Sequence, residues 1–252
     1  MLGFLVESDI ENFFAYFRKH LDFLYKLEVP SNFQIPPGVN INHIRILLAC
    51  TYIEALAKGY YKSKDIYLGD KDARVRFIKF IEEFSSFKQI YCTISLVRLL
   101  EYLEKPENRG KFAEFIAYMY DNYPYISTVL SGPSASQEPN VDEFREQLRI
   151  DSLTKRFEEV VSQLDKFTYS SILWNDYRSG LVHEARVRQE GFDFGADHEP
   201  HYISVQERGS TYTTDFVIPW RFILGTLENC LGGFEGYCTA EQINPYSLYG
   251  LK

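Results

Sequence analysis

The feature that most constrains this chain is the recurrence of large apolar residues at three- and four-residue intervals. Phe13, Phe17, Leu21 and Leu24 keep that spacing between Ser8 and Leu27, with Ser8 or Asp9 available as a cap. Val97, Leu100 and Leu103 repeat it, and Trp220, Ile223, Leu224 and Leu227 do so again behind Pro219. A helical turn takes about 3.6 residues, so this spacing gathers on one side the groups that must leave water. The predicted fold class is mainly α: a helical bundle with extra helices and a small C-terminal β-hairpin.

Helices are predicted over 8–27, 42–62, 71–84, 89–104, 111–121, 141–149 and 153–188, and from Pro219 onward. Pro30, Pro36 and Pro37 interrupt the chain after the first helix and Pro106 ends the fourth, because proline removes a backbone donor and clashes with the preceding turn. Ser131–Asn140, with Gly132, Pro133 and Pro139, reads as a loop, and Gly232-Gly233 as a helix stop. Tyr202–Val205 and Tyr212–Ile218 alternate in character on either side of Gly209, the pattern of a hairpin. With no internal repeat or boundary visible, a single helical domain is expected over 1–252, comprising an N-terminal helical extension and a C-terminal hairpin and helix.

A hydrophobic share of 45% supports a large core, and the 20 Phe and 19 Tyr, mostly at helical spacing, belong to it. The net charge of -8 argues against a broad basic surface that coats nucleic acid, so any RNA contact is expected to be local. Cys50, Cys92, Cys230 and Cys238 lack CxxC spacing and are read as free thiols, which disfavours a zinc site or a disulfide framework. His198 and His201 flank Glu199-Pro200 beside Asp193 and Asp197, but the proline spacer and the lack of a regular element argue against a metal site there. No metal or cofactor is predicted. Apolar runs are too short to span a bilayer and the start of the chain has an acidic flank, so no membrane contact and a cytoplasmic location are expected.

Chemistry concentrates in Trp174–Glu184 (WNDYRSGLVHE), where four residues separate Arg178 from His183. A permanently charged guanidinium can neutralise phosphate oxygens while an imidazole that titrates near neutrality moves protons. On an unbroken α-helix these two positions would point about 140° apart. Convergence therefore requires either a bend at Ser179-Gly180 or a second subunit. Asp176 and His183, seven apart, would share one helix face, and Arg178 could instead pair with Asp176 or Glu184. Glu54 is the only charge between Arg45 and Lys58 in an otherwise apolar helix. It requires either a partner at the motif or an exposed pair with Lys58.

Tyr177–Glu184 (YRSGLVHE) resembles the Arg-x4-6-His motif of the HEPN superfamily, and Leu47–Tyr61 (LLACTYIEALAKGYY) resembles the first long helix of such domains. The resemblance implies a metal-independent endoribonuclease of the toxin or phage-defence type, in which an RNA 2′-hydroxyl attacks the adjacent phosphate. His183 would transfer protons and Arg178 would hold the phosphate, supported by Glu54, Asp176, Ser179 and Glu184. Tyr177, Arg186 and Arg188 would bind substrate. Ser179 stands where many members carry asparagine or another polar residue, which weakens a catalytic role for it. The implied partners are a second copy of the chain, RNA, and an antitoxin or defence-system protein. The alternative is a non-catalytic HEPN-like module that binds a nucleotide or a partner protein and uses Arg178 and His183 structurally.

Overall fold

Apolar periodicity becomes helix through most of the computed structural model, which describes residues 2–28, 41–65, 72–127, 137–184, 199–206 and 212–250. In chain order the helices are α1 (Leu2–Lys26), α2 (Ile41–Ser63), α3 (Ala73–Phe84), α4 (Lys88–Tyr91), α5 (Leu96–Leu103), α6 (Pro106–Arg109), α7 (Ala113–Asn122), α8 (Val141–Ile150), α9 (Glu158–Val161), α10 (Tyr169–Ile172) and α11 (Gly180–Glu184). Strands β1 (His201–Gln206) and β2 (Tyr212–Val217) follow, then α12 (Trp220–Ala240) and α13 (Pro245–Leu248). The protein is mainly helical with one small antiparallel sheet, in which His201 faces Val217 and Gln206 faces Tyr212. Among the described residues no helix is long and apolar enough to cross a membrane.

The chain divides into two compact units: Met1–Lys88 with Trp174–Arg188 and Pro219–Lys252, and Gln89–Leu173 with Gln189–Ile218. In the first unit α2 is the central helix, packed against α1, α3 and α12. Its Ile46, Ala49, Cys50, Ile53, Leu56, Ala57 and Tyr60 are all buried; their three- and four-residue spacing sets them on one broad stripe that these neighbours cover. Phe234 of α12 lies between Phe14 of α1, Tyr60 of α2 and Phe80 of α3, with ring centroids 5.7, 6.0 and 5.9 Å away. Arg45 is buried because its guanidinium meets the carbonyl oxygens left open at the end of α1: it donates to Leu24 at 3.1 Å and to Leu27, and it stacks over Trp220 at 4.3 Å.

Gly232 and Gly233, read from sequence as a helix stop, lie inside α12. A Cβ on Gly233 would fall 2.6 Å from Phe84, whereas one on Gly232 would meet nothing within 4 Å. Gly233 is there to let α12 approach α3, and packing overrides its poor helix propensity. Gly233→Ala is therefore expected to destabilise by about 1–3 kcal/mol. Gly232→Ala should stabilise by up to about 1 kcal/mol, a contrast that paired urea titrations can measure.

Two predicted helices are corrected, one in the second unit and one whose residues belong to both units. The run predicted over 89–104 breaks between α4 and α5, where Thr93 and Ile94 pair as isolated bridges with Asn140 and Thr168. These β-branched residues give their backbone groups to Pro139 and Tyr169, and Ser95 restarts the helix by accepting from the Arg98 N–H at 3.1 Å. The run predicted over 153–188 is not one long helix but α9, a 3-10 turn (Leu164–Phe167), α10, a π-helical stretch (Leu173–Ser179) and α11. Thr168 caps α10 by accepting from the Ser171 N–H at 3.3 Å, one of the side-chain bonds with which Ser and Thr divert a helix. In the second unit Leu99, Leu103, Phe115, Phe144, Leu148 and Val160 form a core of their own.

Candidate functional site

Up to Ser179-Gly180, where the sequence allows a bend, the chain forms a π-helical stretch, Leu173–Ser179, which carries Asp176, Tyr177 and Arg178 and passes directly into α11. Asn, Asp, Ser and Gly are weak helix formers, and their concentration here lowers the cost of a widened turn. A π turn bonds each N–H to the carbonyl five residues back, so the α-helical phase assumed for Asp176 and His183 does not hold.

Arg178 meets Glu54 of α2. Its Nε and Nη2 donate to the same carboxylate oxygen at 2.9 and 2.7 Å, and the two side chains are 19% and 28% exposed. Among the described residues no hydrogen bond engages its Nη1. The guanidinium also stacks over Trp174, four residues earlier, at 4.7 Å from the ring centre. Trp174 in turn lies against Phe77 of α3, with centroids 5.1 Å apart. Thus one face of the arginine rests on an aromatic ring and one edge is fixed by a carboxylate, with the other amino group unbonded among the described residues. Buried Cys50 lies below this pair; burial pushes its thiol up to about 12, Arg178 pulls it down and Glu54 pushes it up, so the thiol stays protonated and unreactive.

Of the residues read from sequence, the structure brings together Arg178 and Glu54. Glu54 takes its motif partner, the first of its two alternatives. Tyr177, expected to bind substrate, is 4% exposed, so its ring packs inside. Asp176 and Ser179 are half-buried on the π stretch, and Asp176 makes interactions of its own. The backbone of His183 and Glu184 belongs to α11, while their side chains lie outside the described residues. Arg186, Arg188, Asp193, Asp197 and His198 also lie outside them. His201 places Nδ1 2.9 Å from the Glu199 carbonyl oxygen.

Trp174 was given no role from the sequence, although its spacing of four from Arg178 was a readable signal for stacking. Comparison with family models, with curated proteins and with solved structures gives no match for this chain.

Proposed function

We propose that this protein is a HEPN-like, metal-independent endoribonuclease that acts in the cytoplasm as a homodimer, of the toxin or phage-defence type, with an antitoxin or defence-system partner. The observation that carries the reading is the held but partly accessible Arg178, whose Nη1 has no hydrogen bond among the described residues, five positions before His183. Four free cysteines suit a reducing compartment.

In this mechanism the RNA 2′-oxygen attacks the adjacent phosphorus, the bond to the 5′-oxygen breaks, and a cyclic phosphate and a 5′-hydroxyl remain. His183 handles the proton that leaves the nucleophile or the one that the leaving oxygen takes up. Arg178 neutralises charge that grows on the phosphate oxygens, and Glu54 with Trp174 fixes its fork beforehand, so little ordering is left for the reaction itself.

Labelled RNAs of varied sequence and structure, incubated with purified protein in excess chelator, should be cut to products with cyclic-phosphate ends. RNAs that all stay intact would overturn the reading. A second reading, the non-catalytic module that binds a nucleotide or partner protein, is favoured by the two nitrogens of Arg178 already spent on Glu54. It predicts tight ligand or partner binding with no cleavage.

A further inference from the structure

In the second unit Glu138 is an enclosed carboxylate with no basic partner among the described residues. It is 6% exposed. Oε1 accepts from the Leu96 N–H at 2.7 Å and Oε2 from the Tyr169 hydroxyl at 2.5 Å. The Tyr202 hydroxyl lies 3.0 and 2.9 Å from the two oxygens, and 2.6 Å from Ser95 Oγ. These donors come from the start of α5, from α10 and from β1. The rings of Tyr169 and Tyr202 both pack on Phe216 of β2, at 4.4 and 5.1 Å, so one cluster anchors the whole hairpin.

Among the described residues no lysine, arginine or histidine forms an ion pair with Glu138. Among the described residues, the titratable groups around it include Tyr125 and, around an adjoining cavity of about 290 Å³ that Glu138 itself lines, Glu143 of α8 and Glu199, none of which can supply positive charge. His201, next to Tyr202 on β1, has its Nδ1 2.9 Å from the Glu199 carbonyl oxygen. Neutral donors satisfy the carboxylate's lone pairs, but they leave the cost of a buried charge uncompensated.

We propose that Glu138 is a proton-controlled latch on the β1–β2 hairpin: with its proton it holds the hairpin against α5 and α10, and without it the hairpin loosens. The neutral acid fits the same cage, since Oε1 still accepts from Leu96 while a proton on Oε2 is donated to a tyrosine oxygen. Burial pushes the carboxyl up from 4.5 to about 7, against the opposing pull of the bonds from Tyr169, Tyr202, Leu96 and Val97. Between those values the folded state holds more proton than the unfolded chain. The latch's contribution is therefore full below about 4.5 and is lost as pH rises through about 7.

Glu138→Gln mimics the protonated form, because its amide NH2 can donate to the tyrosine oxygens while its carbonyl accepts from Leu96. Between pH 5 and pH 8 the wild-type melting temperature should fall by on the order of 5 °C more than that of the variant. Hydrogen exchange, corrected for its intrinsic pH dependence, should quicken in β1 and β2 of the wild type alone. Parallel melting profiles, or exchange that changes evenly over the whole chain, would overturn the latch. A direct measurement serves if the glutamine variant does not fold. The Glu138 Cδ resonance should titrate near neutrality, and its midpoint should move upward in Tyr202→Phe, which removes a donor to the charged form. A midpoint in the ordinary carboxylate range in both proteins rejects the proposal.

Discussion

On the proposed ribonuclease reading, Arg178→Ala and His183→Ala are each expected to slow chelator-resistant RNA cleavage by roughly 100-fold or more. The expectation for Arg178 follows from its setting: a guanidinium held on one side by Glu54 and on one face by Trp174 is fixed before substrate arrives. Removing a fixed donor that meets developing charge costs roughly 100- to 1,000-fold in rate. Loss of a positioned acid or base costs about 100- to 10,000-fold. Arg178→Lys keeps the charge but loses the fork, so it should recover only a fraction of the rate.

Glu54→Gln provides the discriminating comparison. It removes the charge that orients Arg178 without touching substrate, so single-turnover cleavage should slow by less than in Arg178→Ala. Under the structural reading, Arg178→Ala and Glu54→Gln change melting temperature and nothing else. A His183→Ala protein that cleaves as fast as the parent would end the nuclease assignment, whatever the Arg178 variants do.

Phe234→Ala is expected to cost about 3–5 kcal/mol, a loss comparable with the whole stability of many domains. Phe234 is fully buried and its ring contacts α1, α2 and α3 at once through Phe14, Tyr60 and Phe80. Its removal takes apolar surface out of the core and leaves a cavity that three helices from separate parts of the chain cannot close together. Urea denaturation should show a midpoint shifted far down with little change in slope. A loss below about 1 kcal/mol would mean that α1, α2, α3 and α12 do not share this core. Phe234→Leu, which retains much of the volume, should lose less.

Helix type was legible wherever apolar periodicity ran undisturbed, as in α1, α2, α3, α7, α8 and α12, and approximate extent in α2, α3, α7 and α8; α1 begins six residues before the predicted Ser8 and α12 runs on past Gly233. Such helices depend on local spacing and on the free energy of burying one side, both of which a sequence displays directly. The hairpin was legible for the same reason, since alternation is as local as helical period. The break at Thr93-Ile94 was not, because those residues alternate between helical and extended readings. Their conformation was decided by backbone partners at Asn140, Thr168 and Tyr169, distant in sequence. Gly233 misled for a related reason: a glycine that ends a helix and one that admits a neighbouring phenylalanine look identical until the neighbour is known.

At the candidate site the sequence by itself determined which chemical groups were present: a guanidinium, an imidazole, and one isolated carboxylate on an apolar helix that demanded a partner. It left two partners open for Glu54. Tertiary packing chose between them by bringing α2 beside the π-helical stretch, 124 positions away, where the pairing of Arg178 with Glu54 answers the cost of burying either charge alone. The burial of Glu138 likewise could not be read from a Ser- and Pro-rich segment with the composition of a loop. Its enclosure depends on Tyr169, Tyr202 and the start of α5 meeting at one point. Local patterns state what a residue needs, and only the folded chain supplies the long-range neighbour that meets the need.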